Sequence, residues 1–260
     1  MIDIHTHILP GLDDGAQTID DALEMARAAH EEGIEHIIAT PHHANGSHMN
    51  AGRDVRLEVR RFNEQLQAAD IPVTIHPGQE IRVHDDLLDA WGRDELLTLA
   101  DSSYILIEMP HHKIPSGMLE LLHELAILGL RPVIAHPERN GDVLKEPKRL
   151  AEMIECGAFS QVTTHSLLGA FGAKIEKCAW DLCKKGLIHL VSSDAHHVTR
   201  RGFELRESYR VIGEKLGAEW VDYFKLNSDQ LLADGDFFGM PSLSVKSKDF
   251  LKRFNLFRRG

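Results

Sequence analysis

The strongest constraint on the fold is a rhythm. Short apolar runs alternate with longer segments of helical spacing, and nearly every run closes on a histidine or a carboxylate. The later closing residues, Glu108, His136, His165 and Asp194, are 28, 29 and 29 positions apart, about one strand-plus-helix unit. Seven strands are expected, at residues 2–4, 34–39, 73–76, 104–107, 131–135, 159–162 and 187–191.

The helices between them read from spacing and stop signals. Thr18 with Asp21 three residues on is a helix start, Ile19, Leu23, Ala26 and Ala29 are its expected apolar stripe, and Gly33 ends it. Val55, Val59, Phe62 and Leu66 mark the second helix, and a shorter stretch lies at 87–91. Segments 118–128, 150–156 and 174–185 are each followed by glycine: Gly129, Gly157 and Gly186. Strand–helix alternation makes the fold class α/β, with a parallel sheet and right-handed crossovers. A TIM-like (β/α) barrel gathers all strand carboxyl ends on one face, where donors far apart in sequence meet. An open doubly wound sheet is the alternative, but it concentrates a site at one switch point and does not need a donor after almost every strand.

Those donors suggest a metal centre. His5 and His7, two apart at the end of the first strand, point the same way. Strand ends further supply His42, Glu80, Glu108, His136, Asp194 and His196, and the first loop supplies Asp14. Nine nitrogen and oxygen donors without a thiolate exceed the about four to six ligands of one ion, so two or three divalent ions are expected. Such a set suits manganese, iron or zinc better than calcium or magnesium alone. A lone carboxylate is usually a surface charge, yet Glu108 directly follows Tyr104, Ile105, Leu106 and Ile107. For His43, His76, His111, His112 and His165, structural or substrate-facing roles fit as well as ligation. His30, His36, His123 and His189 fall within helix or strand bodies and are assigned to packing or surface. Arg139, three residues after His136, can clamp an anion bidentately.

Composition agrees. There are 17 histidines in 260 residues, more than solubility requires. A net charge of -11 disfavours a nucleic-acid backbone as ligand. Cys156, Cys178 and Cys183 form no CxxC pair, and their odd number argues against a disulfide framework. No apolar stretch approaches the roughly 20 residues of a membrane span, and Met1 runs straight into the first strand without a secretory signal, so a cytoplasmic protein is expected. The last twenty residues differ: Lys246, Lys248, Lys252, Arg253, Arg258 and Arg259 face one acid, Asp249. Residues 241–260 are therefore read as a basic tail after a domain at 1–240; it could touch an anionic membrane or a partner protein, or serve as a loose tail or subunit contact in a homo-oligomer.

Asp3-Ile4-His5-Thr6-His7, Thr40-Pro41-His42, Glu80, Glu108, His136-Pro137-Glu138-Arg139 and Asp194-Ala195-His196 resemble, in order and spacing, the motifs of the polymerase-and-histidinol-phosphatase (PHP) superfamily. More narrowly, the opening DIHTHILPGLDDGA, IAHPER and SSDAH are similar to the manganese-dependent bacterial protein-tyrosine phosphatases of capsule and exopolysaccharide operons. The resemblance implies a distorted seven-stranded (β/α) barrel and a trinuclear site. In it, His5, His7, Glu80 and Asp194 hold one ion, Glu80, Glu108 and His136 a second, and Asp14, His42 and His196 a third. Arg139 and Arg201 match its phosphate-binding arginines, with Arg200 standing beside the latter. The implied substrate is phosphotyrosine on the tail of a cognate membrane-associated tyrosine kinase, hydrolysed by a metal-bridging hydroxide. His42, His196 or Asp14 could assist as acid only if not fully committed to metal. Two other readings stay open: a small-molecule phosphatase, such as one acting on histidinol phosphate, and a catalytically silent metal-binding scaffold.

Overall fold

The computed structural model describes residues 1–242, so all but two residues of the expected basic tail lie outside the described residues. In chain order the elements are β1 (Ile2–Thr6), α1 (Ile19–Glu31), β2 (His36–Ala39), β3 (His42–His43), α2 (Gly52–Ala68), β4 (Thr74–Pro77), β5 (Glu80–Arg82) and α3 (Leu87–Gly92). There follow β6 (Tyr104–Glu108), α4 (Met118–Ile127), β7 (Arg131–Ala135), α5 (Gly141–Lys145), α6 (Lys148–Glu155), β8 (Phe159–Thr163), α7 (Thr164–Leu167), α8 (Ala173–Lys184), β9 (Leu190–Ser192), α9 (Leu205–Lys215) and α10 (Ala218–Leu232). All strand pairings are parallel, which places the chain in the α/β class.

Nine strands, rather than seven, appear among the described residues. They form a three-stranded sheet in the order β1-β2-β4 and a six-stranded sheet in the order β3-β5-β6-β7-β8-β9. The surplus comes from two interruptions. Pro41, which has no N–H to give a ladder, separates β2 from β3. Gly78 and Gln79 separate β4 from β5, and a Cβ on Gly78 would lie 2.8 Å from the Ile38 side chain. The chain after β9 meets β1: Asp194 N–H donates to His5 O at 2.8 Å and His7 N–H to Ala195 O at 2.9 Å.

Strand parity sorts the core. Ile2, Ile4, Ile38, Tyr104, Leu106, Val133, Ala135 and Leu190 pack together on one face, capped by Leu99 and by Leu231 of α10. The alternate residues Ile37, Ala39, Ile105, Ile107, Ile134, Val162 and Val191 pack against the helices. The inner column of β6 turns polar at its carboxyl end, running Tyr104, Leu106 and Glu108. In β1 the pairing slips one residue between Asp3 and Thr6, so Ile4 and His5 both stand opposite Ile38. That bulge places His5 and His7 in line with the inner apolar residues.

The helix start at Thr18 is present as a full capping box with Asp21. The buried stripe of α1 is Ala22, Met25, Ala26 and Ala29, whereas Ile19 is 39% exposed. Ala26 and Ala29 of the expected stripe are buried and Leu23 packs half-buried against the core, while Ala22 and Met25 replace Ile19. Helices α9 and α10 had no counterpart in the sequence reading. Asn227 of α10 donates to the His189 carbonyl at 3.0 Å, fastening this helix beside β9. No helix among the described residues is long and apolar enough to cross a membrane.

Candidate metal centre

All nine expected donors come together, His42 and Glu80 from the first residues of β3 and β5 and the others from the ends of strands or the loops after them. β1 delivers His5 and the residue just after it supplies His7; β3 brings His42, β5 Glu80 and β6 Glu108. His136 follows β7 and takes a left-handed conformation, φ 31° and ψ 55°. Asp194, in the turn after β9, is also left-handed, with φ 56°. Such conformations cost non-glycine residues of order 1–3 kcal/mol, so surrounding contacts must hold these two donors in place.

Four sets of donor atoms lie within 4.8 Å of one another: His7, Asp14, His42 and His196; His5, His7 and Glu80; His5, His136 and Asp194; and His42, Glu80 and Glu108. The set Asp14, His42 and His196 thus comes together with His7 added. Glu108 is grouped with Glu80 and His42, while His136 is grouped with His5 and Asp194 and meets Glu80 at 2.6 Å. Asp14 sits at the rim with its side chain 60% exposed, 3.5 Å from His42 and 3.4 Å from His196.

The donor set fits divalent cations on the chain's own geometry. His7 Nδ1 lies 2.6 Å from the Asp13 carboxylate and His5 Nδ1 3.3 Å from Gln161 Oε1. With those nitrogens donating, both Nε2 atoms carry lone pairs, and they face each other at 3.2 Å. Burial opposes charge on His7, but Asp13, Asp194 and Glu80 raise it well above its ordinary value, so a positive centre, proton or cation, is favoured between these two nitrogens. His42 Nδ1 lies 2.8 Å from Glu80 Oε2 and Asp194 Oδ1 3.2 Å from His7 Nε2, so donor nitrogens and carboxylate oxygens crowd one buried space. Burial, together with the adjacent Glu80 charge, pushes Glu108 up to about 7. Burial also disfavours charge on Glu80, but His5, His42 and His136 outweigh it and hold that carboxyl well below its usual range. A pocket that cannot comfortably carry both carboxylates as anions is one that a cation stabilises.

A layer of supporting residues escaped the sequence reading. Asp13 is buried and accepts from His7 Nδ1–H, from Gly15 N–H at 3.0 Å and from His42 N–H at 3.0 Å. Burial opposes its ionisation, but His7 and these hydrogen bonds hold its carboxyl far below the ordinary range. Gly15 is required here because a Cβ would lie 1.9 Å from His7 O. Gln161 also accepts His136 N–H at 3.3 Å, and Arg82 grips both oxygens of Glu108 at 2.8 Å. The adjacent aspartates of the opening motif were the available signal for Asp13; Gln161 and Arg82 had none.

Arg139 and Arg201 converge on Asp194. Arg139 donates through Nη1 to Asp194 Oδ2 at 2.7 Å and through Nη2 to Thr163 Oγ1 at 2.8 Å, while Arg201 Nη2 pairs with the same carboxylate oxygen. Both Nε–H groups are buried and unspent. Arg200, by contrast, is exposed at the cleft that Asp14, His48, His196 and Arg201 also line. A guanidinium can pair bidentately with a carboxylate or a phosphate, and two of them stand here beside the donor cluster.

The less specific histidines divide. His43 is buried and holds Asn50 O at 2.8 Å, His76 pairs with His36 at 3.1 Å, and His111 and His112 are exposed. His165 is buried, with its ring 5.9 Å from that of Phe171. His30, His36 and His123 lie in α1, β2 and α4, whereas His189 is buried just before β9.

Comparison with known proteins agrees with this chemistry. The family model for capsular polysaccharide synthesis, CpsB/CapC, matches residues 1–233. The tyrosine-protein phosphatase YwqE of Bacillus subtilis (strain 168) is 42% identical over 248 residues, 95% of this chain and 98% of its own. The tyrosine-protein phosphatase CpsB of Streptococcus pneumoniae is 29% identical over 224 residues, 84% of this chain and 92% of its own. A solved structure from work on YwqE and that CpsB, described as metal-dependent tyrosine phosphatases, superposes with a TM-score of 0.90 at 42% identity, over 95% of this chain and 100% of the other. An organophosphorus hydrolase variant shares the fold at 13% identity, with a TM-score of 0.54 over 89% of this chain and 92% of the other.

Proposed function

We propose, from the premise that this chain belongs to the CpsB/CapC family of capsular polysaccharide synthesis, that its donor cluster removes phosphate from tyrosine on a cognate bacterial tyrosine kinase. The chain is a metal-dependent tyrosine-protein phosphatase. In this reading the substrate is the phosphotyrosine-bearing tail of a membrane-associated kinase that governs capsule or exopolysaccharide synthesis, and the phosphatase works in the cytoplasm. His5, His7, Glu80 and Asp194 would hold one ion, Glu80, Glu108 and His136 a second, and Asp14, His42 and His196 a third, with His7 near enough to the last set to be shared. Manganese is the cation we assign; iron and zinc suit the same donors.

When bound, such ions supply a water of lowered pKa and positive charge for the phosphate. The chain's own residues do the rest. Arg139 and Arg201 bind the non-bridging phosphate oxygens through their unspent Nε–H groups, orienting the ester. Asp13 and Gln161 keep His7 and His5 in the tautomer that turns Nε2 inward. The hydrogen bond from His196 holds Asp14 down to about 2, so Asp14 is an anion at neutral pH and a poor proton donor. A phenol of pKa about 10 leaves without a strong acid more readily than an aliphatic alcohol. The same reading treats β2–β3 and β4–β5 as two interrupted strands of a distorted seven-unit barrel. It takes residues 1–240 as one catalytic unit, followed by a tail whose basic residues touch an anionic membrane or the kinase. Unchanged membrane association and kinase dephosphorylation after deletion of residues 245–260 would remove that role.

The observation that carries this proposal is the 3.2 Å approach of the His5 and His7 Nε2 atoms beside the arginine-bound Asp194. Protein supplied with manganese should release phosphate from a phosphotyrosyl peptide, and either EDTA or His136→Ala should abolish most of that release. Undiminished turnover after both treatments would refute the metal scheme. A preference for histidinol phosphate would keep the site and change the substrate.

A further inference from the structure

We propose that Phe171 is the aryl-binding wall of the phosphatase site, a specificity-determining residue that selects phosphate esters of phenols over those of aliphatic alcohols. The inference rests on the phosphatase reading above and names what that site recognises beyond the phosphate.

Phe171 stands in the turn between α7 and α8, and its ring lies over the Arg139 guanidinium, 4.4 Å from Cζ to ring centroid, and 5.9 Å from Cζ of Arg201. It is 37% exposed, although the buried apolar side chains of Leu167 and Trp180 lie on the two helices that flank the turn. The turn is tied in this orientation: Ala170 N–H donates to His165 O at 2.9 Å and Gly172 N–H to Gly169 O at 2.9 Å. Gly169 and Gly172 bracket it at φ 80° and 92°, conformations open to glycine. The chain therefore spends two left-handed glycines and two backbone hydrogen bonds on presenting a phenyl ring to solvent beside the metal cluster.

The position matches the shape of the substrate. A guanidinium binds phosphate with its N–H edge and leaves its faces free for aromatic rings. With the phosphate held at the edges of Arg139 and Arg201, the ester oxygen and its ring have to leave the site past those arginines. Phe171 already covers one of these guanidiniums there. A phenyl ester can stack on it at a ring separation of about 4.5–7 Å, whereas an alkyl ester offers no ring. The alternative use of Phe171 is only to steady the two arginines by cation–π contact. That role would affect aryl, alkyl and inorganic phosphate alike, which separates the two explanations.

The test measures inhibition constants of phenylphosphonate, methylphosphonate and inorganic phosphate on the metal-loaded full chain, with an aryl phosphate as reporter substrate. Wild type should bind phenylphosphonate about tenfold more tightly than methylphosphonate. In Phe171→Leu, which keeps bulk without a ring, that ratio should fall to about twofold or less while inorganic phosphate binding stays constant. Phe171→Trp should retain the wild-type ratio, and its indole emission should be quenched by phenylphosphonate and unchanged by inorganic phosphate. An unaltered aryl-to-alkyl ratio in Phe171→Leu, or a parallel weakening of all three inhibitors, overturns the proposal. Failure of wild type to hydrolyse any phosphotyrosyl peptide would instead overturn the phosphatase reading itself.

Discussion

Asp13 binds nothing directly in this account, yet its removal should be felt at the metal. Its Oδ2 takes His7 Nδ1–H and His42 N–H, and its Oδ1 takes Gly15 N–H. Asp13→Asn keeps one carbonyl oxygen. Placed at the Oδ2 position it still serves His7 and His42, but the amide N–H then opposes Gly15 N–H and the negative charge facing His7 is gone. Asp13→Ala removes all three acceptors and lets the His7 ring take either tautomer, including the one that puts a proton on Nε2. Hydrogen-bonded partners of metal-bound histidines contribute about 10- to 100-fold in affinity, which is about 1.4–2.7 kcal/mol. We expect Asp13→Asn near the lower end and Asp13→Ala near the upper end. Manganese affinity measured by competition with a fluorescent chelator checks this, and kcat at saturating manganese should recover in the Asn variant. Manganese binding by Asp13→Ala within about twofold of wild type would refute the tautomer argument.

Two further predictions concern residues away from the ions. Burial lowers His189 to about 4 from an ordinary value of 6.5, and its Nδ1 accepts Ser160 N–H at 3.2 Å, which requires that nitrogen to be unprotonated. Between pH 6.5 and pH 4 the unfolded chain takes up a proton that folded His189 refuses, so stability falls as pH falls through that window. The contribution lost between about pH 7.5 and pH 5 is about 2 kcal/mol. His189→Gln, whose amide oxygen can still accept, should lose that much less than wild type in urea midpoints taken at the two pH values; equal slopes would refute it. Thr163 Oγ1 stands between Arg139 Nη2 and the buried Glu138 carboxylate, at 2.8 and 3.1 Å. Thr163→Val should weaken inhibition by inorganic phosphate about tenfold and cost about 1–3 kcal/mol of stability by leaving Glu138 short of a partner. Unchanged phosphate inhibition would show that Arg139 does not need this support.

The donors were legible for a physical reason. A β/α unit repeats at nearly constant length, so every strand end returns to the same face, and spacing alone brought Glu108, His136 and Asp194 together. Other parts left no one-dimensional trace. Gln161 supports His5 from 156 positions away, and Arg82 meets Glu108 across a strand pair. The β1 bulge and the left-handed backbones of His136 and Asp194 are set by tertiary contacts and have no residue signature, since neither position is glycine. Nine strands stand where seven were expected because the short β3 and β5 lie beyond Pro41 and Gly78, past the expected strand ends at 39 and 76. Helices α9 and α10 were missed because no strand follows them, so the alternation that organised the reading ends at β9. In α1 the expected stripe holds at Ala26 and Ala29 and fails at Ile19, which stands in the first turn and is 39% exposed.

The central claim is that these donors hold two or three divalent ions that make the site a tyrosine phosphatase. It is tested most directly by titrating manganese into chelator-stripped protein while following phosphate release from a phosphotyrosyl peptide. Release should be negligible without metal and rise to a plateau at two to three equivalents per chain. Turnover by the stripped protein, or a plateau reached below one equivalent, would contradict it.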